Sequence, residues 1–359
     1  MKGYLYNRLQ YNPNITGITM NKDRDISIDL LRILCCFLVL GIHVTPLYDA
    51  YIAMDIPEYE KYSALLIQSL VRSGLPVFFM ISGMYLLNSK IDNIASFYKK
   101  RLTAIIIPFL IYSFIHFFGN SKGSINIEII IIYLSDLMSS TGISMHFWFV
   151  YSIIGIYLIS PFINMLLEKI NEYKSIMVSI IFIISISFYN TYLDGIISGL
   201  EVPYFGMWTS YFILGGLIAR LPKIKLNYAI LFFILSYFLT CLSTFVQFNF
   251  NHAFFRSFDS GLNMYMLAFF LCMIFKNLEL NISDKIKKII YFISSRTYGI
   301  YLIHILVLTV IIKNYDTSWY VGNITSYTIF MTLIIFLISL LISSIVDKVI
   351  CEPVIKRMK

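Results

Sequence analysis

The chain has 359 residues, 58% hydrophobic and only 13% charged, where soluble domains carry roughly 45–50% apolar and about 25% charged residues. With a mean hydropathy of +0.76, so much apolar surface cannot be hidden inside one water-wetted globule, which excludes a soluble enzyme, a disulfide-stapled secreted domain and a disordered chain. The net charge of +8 would suit nucleic acid only if the basic residues shared one face, and they are spread among loops.

Runs of about 20 mostly apolar residues, enough to cross a bilayer, fall at roughly 26–47, 63–88, 102–118, 147–166, 175–190, 203–219, 227–248, 258–276, 290–313 and 324–346. The fifth and sixth are expected to be short. Segment 125–138 is apolar but brief and carries Glu128 and Asp136, so it reads as an interfacial or re-entrant helix rather than a span. The pattern predicts an all-α polytopic membrane protein of about ten transmembrane helices.

Lys and Arg accumulate in short cytoplasmic loops. Of the 28 basic residues, 21 fall on one side of this arrangement, four (Lys61, Lys122, Arg256, Lys313) on the other, and Arg32, Arg72 and Arg296 within spans. The asymmetry predicts both termini in the cytoplasm: a tail over 1–25, a membrane domain over 26–346 and a second tail over 347–359. Residues 1–25 lack the apolar core of a signal peptide. The five cysteines have neither metal-ligand nor disulfide spacing and read as small hydrophobes; no metal is expected.

Ionisable residues inside a span usually face the protein interior and mark function. The first span carries Asp29, Arg32 and His43. At 100° per residue, the eleven steps from Arg32 to His43 end about 20° past three turns and about 16 Å along the axis, so both lie on one face. Asp29, three residues before Arg32, is placed for an ion pair. The second span holds Arg72 near mid-depth, followed by Gly74, Pro76, Ser82 and Gly83. Such residues break a membrane helix beside a cavity or allow close helix packing. His43, His116, His146, His252 and His304 all map to the outer half of the membrane or beyond. Imidazole is the side chain best suited to proton transfer near neutral pH. Proton chemistry is therefore expected at the outer side. Taken singly, His116 and His252 read as structural. His146 and Trp148 are ambiguous, because a Trp at this depth is ordinary interfacial material.

Together these residues resemble the acyltransferase-3 family of integral-membrane O-acyltransferases. Its hallmark, an Arg and a His separated by ten residues in the first span, is matched by Arg32 and His43, with the usual preceding acid at Asp29. GLPVFFMISG is similar to its Pro-Phe-Phe-x-x-Ser-Gly segment, running here from Pro76 to Gly83 with Val77 interposed. Lys100, Arg101 and Pro108 match the basic approach to the third span. His146, Trp148 and Pro161 match a His-x-Trp segment, and Tyr298, Gly299, Tyr301 and His304 a Tyr-Gly-x-Tyr-Leu-x-His span. CEPVIK resembles the Glu-x-Pro close, one residue short. Many members carry a second arginine three positions after the first, where this chain has Ala104; a two-arginine phosphate clamp is thus put in doubt.

The resemblance spans residues 26–355 and implies an enzyme, an O-acyltransferase. It would move an acyl group, commonly acetyl, from cytoplasmic acyl-CoA to a hydroxyl of a cell-surface polysaccharide or lipid-linked sugar. Lys99, Lys100 and Arg101 would hold the coenzyme's phosphates. Arg32, oriented by Asp29, would guide the thioester or stabilise its oxyanion. His43 would act as general base or as a transient acyl carrier, with Arg72 and His304 as further site residues. The separation along the first helix leaves two arrangements: Arg32 serves the donor and His43 the acceptor, or the acyl group passes between them. The competing class is a non-enzymatic transporter or flippase of polysaccharide or lipid-linked sugar. The expected setting is a plasma membrane, bacterial by the Ile-, Asn-, Lys- and Tyr-rich composition, with lipid and the glycan as partners.

Overall fold

A computed structural model describes residues 25–120, 126–194, 196–197, 202, 204–250, 255–315 and 322–358; the first 24 positions, Lys122, His252 and Lys359 lie outside them. The described residues form helices and no strand. In chain order these are α1 (Ile26–Val44), α2 (Tyr48–Ile52), α3 (Glu58–Val71), α4 (Gly74–Leu86), α5 (Ile94–Asn120), α6 (Ile127–Leu137) and α7 (Trp148–Leu167). They continue with α8 (Tyr173–Phe188), α9 (Met207–Arg220), α10 (Leu226–Asn249), α11 (Leu262–Asn277), α12 (Asp284–Asn314), α13 (Ile324–Val346) and α14 (Glu352–Met358).

Each of the ten apolar segments contains a helix, and eight helices among the described residues are long and apolar enough to cross a membrane. The helix starting at Ile26 begins where Asp25 accepts a hydrogen bond from the Ser27 amide at 3.0 Å, satisfying one free donor of the first turn. It ends before Thr45 and Pro46. α6, at 11 residues, spans only about 16 Å by helical rise and is too short to cross.

Three features depart from the sequence pattern. The fifth segment is not short, because α8 continues through a π turn over Tyr189–Leu193 to give 21 residues. The short members are instead the sixth and the eighth, α9 with 14 residues and α11 with 16. Residues 258–261, counted with the eighth span, are an ordered connection held by side chains described below. The second span is two helices, α3 and α4, parted at Arg72–Ser73. Pro76 falls in the first turn of α4, where its missing amide costs no helix bond. Residues 347–358 are helical, with a π turn over Asp347–Cys351 leading into α14.

Close packing explains the glycines of α4. A β-carbon on Gly83 would strike the Phe212 carbonyl of α9, and one on Gly215 would strike the Met80 carbonyl of α4. A β-carbon on Gly74 would lie 2.9 Å from the Cys35 carbonyl of α1. α4 is therefore wedged between α1 and α9 at backbone distance, the arrangement small residues permit in membranes. At one end of the bundle, Arg220 closes this wedge: its guanidinium donates to the carbonyls of Leu87, Leu167 and Ile170 and to Asn88 Oδ1. That end also carries Lys99, Lys100, Arg101 and Lys276 and is called the basic end below. The opposite end, where α1 finishes, is the histidine end.

Gly83→Val should force α4 and α9 apart and cost about 1–3 kcal/mol, the usual penalty of overpacking. Gly155→Val, at a position with nothing within 4 Å, should cost far less. Thermal unfolding of the two variants in detergent checks this, and equal melting temperatures would contradict the wedge.

Candidate functional site

Asp29, Arg32, His43 and His304 gather along the seam between α1 and α12. Near the basic end, Arg32 Nη1 lies 3.3 Å from Asp29 Oδ1 and 3.4 Å from Ser294 Oγ of α12. The Ser294 hydroxyl donates to Asp29 Oδ1 at 2.5 Å. Asp29 is fully buried, while the Arg32 side chain keeps 20% exposure and stands over the Tyr85 ring at 5.4 Å. One turn on, the Cys36 thiol donates to the Thr297 carbonyl at 3.6 Å. At the histidine end the His43 and His304 rings are 5.2 Å apart. Positions 32, 36 and 43 thus meet 294, 297 and 304 in ascending order, so α1 and α12 run parallel and share one face. Cys36 and Val39, both buried, lie between Arg32 and His43 on that face.

His43 begins a chain of four imidazoles. His304 is 4.8 Å from His146, centroid to centroid, and His146 is 5.4 Å from His116. His116 Nε2 donates to the Leu302 carbonyl at 2.8 Å, and His146 Nε2 to the same carbonyl at 3.2 Å. A carbonyl only accepts, so both Nε2 atoms carry the hydrogen, and His146 Nδ1 then accepts from Ser144 Oγ at 2.9 Å. In the same way His304 Nδ1 donates to the Tyr301 carbonyl at 2.5 Å. Its Nε2 is left buried, with no hydrogen-bond partner. Neutral His304 therefore presents a lone pair inside the cluster beside His43. Among the described residues no group of three or more His, Cys, Asp or Glu has metal-holding geometry.

The Tyr-Gly-x-Tyr motif places His304 by packing. Tyr298 OH donates to the Ile105 carbonyl at 3.1 Å, and Tyr301 OH donates to the His146 carbonyl. A β-carbon on Gly299 would meet Ser343 Cβ and Tyr112 OH at 2.8 Å, so glycine is what lets α5 and α13 close on α12. Arg296 pairs with Asp347 at 3.3 Å and with Glu352 at 2.8 Å, and Tyr112 donates to Asp347 at 2.9 Å. This network ties α12 to the C-terminal helices and accounts for the third arginine within a span.

Arg72 sits at the α3–α4 break. Its guanidinium stands over the Phe258 ring at 5.1 Å, its Nε is buried with no hydrogen-bond partner, and it lies within electrostatic range of His43. Lys99 and Lys100 are exposed at the start of α5, while Arg101 is partly buried over Phe97; all three stand at the basic end with Arg32. Trp148 is half-buried at the start of α7. It packs against Trp208 at 5.2 Å, and Trp208 stacks on Phe79 at 4.9 Å. Sequence reasoning missed Ser294, Tyr85 and Ser144, because a lone hydroxyl in an apolar run carries no signal until a charged partner is opposite it. His116 reads differently in place, joining the imidazole chain rather than packing alone.

Such a helical bundle, with an ion pair and an imidazole cluster on one buried seam, defines a polytopic membrane protein with an internal polar site. The chain belongs to the acyltransferase-3 family: the family model described as an acyltransferase domain matches residues 25–344. No curated protein and no solved structure matches it.

Removing Asp29 should strand Arg32 beside a buried serine. Breaking a fully buried pair costs about 3–5 kcal/mol, and Arg32's residual exposure reduces that, so Asp29→Ala should lose about 1–3 kcal/mol. Ser294→Ala should lose about 1 kcal/mol, the weight of one neutral hydrogen bond. Thermal unfolding orders the two, and an Asp29 variant no less stable than the Ser294 variant would remove the pair from the seam's foundations.

Proposed function

We propose that the protein is a membrane O-acyltransferase that moves an acyl group, most simply acetyl, from acyl-CoA at the basic end to a hydroxyl of an envelope glycan or lipid-linked sugar at the histidine end. The observation that carries this reading is the placement of Arg32 and His43 on one face of one unbroken helix, each held against α12. Membership of an acyltransferase family supports the reaction class. The basic loops support a cytoplasmic donor side, in a bacterial plasma membrane.

In this reading Lys99, Lys100 and Arg101 hold the phosphates of the coenzyme, which binds as donor substrate. On binding, its pantetheine arm parts the seam beyond Arg32, where Cys36 and Val39 are buried and the Cys36 thiol bonds across to the Thr297 carbonyl. Arg32, kept in place by Asp29 and Ser294, guides the thioester. At the far end His43, which makes no hydrogen bond among the described residues, takes the proton of the acceptor hydroxyl. The oxygen attacks the thioester carbon, the C–S bond breaks, and the thiolate leaves to take up a proton. A small rotation of the two rings, 5.2 Å apart, would let the unpartnered His304 Nε2 accept the other N–H of His43 and fix its ring, the part played by the third member of a nucleophile–base–orienter set. Arg72 supplies fixed positive charge beside the developing oxyanion.

Purified protein in nanodiscs, given radiolabelled acetyl-CoA and envelope glycan extract, should transfer label to the extract. His43→Ala and Arg32→Ala should each reduce transfer about a hundredfold or more, within the range for loss of a general base or an electrostatic stabiliser. His304→Gln should lower the rate less than His43→Ala. Absence of donor turnover in folded wild type, across short acyl chains, would overturn the reading.

A further inference from the structure

The shortness of α9 and α11 has a structural consequence at the histidine end. Because these helices start late, at Met207 and Leu262, their approaches leave a recess of about 500 Å³ between the ends of α8, α9, α10 and α11. That volume is in the range of about 300–1,000 Å³ typical of small-ligand pockets. Its wall carries Asn190, Thr191, Gln247, Arg256 and Asp259, with Tyr204 at the mouth. Tyr204 is 75% exposed and offers an aromatic face to water.

The connection bearing Arg256 and Asp259 is built rather than loose. Gln247 Oε1 accepts from the Ser257 amide at 2.9 Å, and Asn263 donates to the Ser257 carbonyl at 2.8 Å. Tyr211 OH donates to the Asp259 carbonyl at 2.5 Å, and Thr191 Oγ1 donates to the Ser260 carbonyl at 3.3 Å. A β-carbon on Gly261 would strike the Arg256 carbonyl. Asp259 adopts φ +54°, a left-handed conformation that non-glycine residues rarely hold without a reason. Its carboxylate forms no hydrogen bond or ion pair among the described residues. Burial pushes the Asp259 carboxyl above its usual range and Arg72 pulls the other way. Arg256 is exposed at the rim, and Arg72 lies behind the Phe258–Asp259 wall, in electrostatic range of both Asp259 and His43.

We propose that this recess is a binding site for a neutral, polyhydroxylated ring, one sugar unit of the acceptor glycan, and so specifies which sugar is acylated; this rests on the acyltransferase reading for its placement in the reaction. A carboxylate and a guanidinium in one recess disfavour ligands of either net charge. Adjacent hydroxyls suit an unpaired carboxylate, which accepts two hydrogen bonds at once. The amide of Asn190 and the hydroxyl of Thr191 add donors and acceptors, and Tyr204 gives a flat apolar surface for the ring's C–H face. The recess stands at the same end of the bundle as His43, with Arg72 in electrostatic range of both Asp259 and His43, so a unit seated here holds the glycan at the acceptor end.

The test uses the full chain in detergent and four probes: methyl α-glucopyranoside, methyl α-galactopyranoside, methyl α-rhamnopyranoside and methyl N-acetyl-β-glucosaminide. Saturation-transfer NMR should show at least one binding to wild type. Asp259→Asn, which tolerates the left-handed backbone, should weaken binding about tenfold, the size of one hydrogen bond to a charged group. Tyr204→Ala, at an exposed position unconnected with folding, should weaken it severalfold. No transfer from any probe to folded wild type, or binding unchanged in both variants, would overturn the site. Probe binding without acyl-CoA turnover would sink the acyltransferase reading and leave the recess standing. Turnover without probe binding would do the reverse.

Discussion

A carboxylate with no exposure, on a helix that crosses a membrane, has to be held by protein donors. Asp29 is held by the guanidinium one turn along its own helix and by a hydroxyl from α12. An unpaired charge in hydrocarbon is costly enough that this triad fixes which helix lies beside α1 and in which register. Once residues 29–32 meet 294, parallel packing brings 36 to 297 and 43 to 304. The imidazole pair at one end is therefore a consequence of the ion pair at the other.

What surrounds the seam follows from that register. α4 is pressed between α1 and α9 by glycines whose β-carbons would meet backbone. α12 is anchored at its far side by Arg296, Asp347 and Glu352. The carbonyl of Leu302, about one turn above the Tyr298–Gly299 pair, receives two imidazoles at once. His304 Nε2 is left without a partner, as is Arg72 Nε. Buried polar atoms are rarely left so, and His304 Nε2 belongs to the ring that adjoins His43, which the proposed mechanism uses as base. The late starts of α9 and α11 then open the recess on the same side of the molecule.

Much of this was legible in the chain. Ten apolar runs and the charges inside them could be read because lipid tolerates so few exceptions, and the same-face placement of Arg32 and His43 follows from helical pitch alone. The limits of the runs were less legible. Residues 258–261 are counted into a span on the strength of Phe258 and the apolar run that follows, yet Tyr211 and Thr191, distant in sequence, hold Asp259 and Ser260 as a connection. The break at Arg72 was ambiguous for a different reason. Gly74 and Gly83 serve packing while Arg72 and Ser73, just before Gly74, part the helix, and composition does not separate these roles. Ser294, Ser144 and Asp259 acquire meaning only from what faces them. His116, unremarkable in its own segment, enters the imidazole chain because α5 and α12 converge there.

The most direct measurement concerns sidedness, since the proposed chemistry needs donor and acceptor at opposite ends of one seam. Proteoliposomes loaded with radiolabelled acetyl-CoA, washed free of external donor and supplied outside with a membrane-impermeant glycan acceptor, should label that acceptor, with label absent when the vesicles carry the His43→Ala protein. Transfer that occurs only when acetyl-CoA and acceptor share one compartment would contradict a seam that joins the two faces.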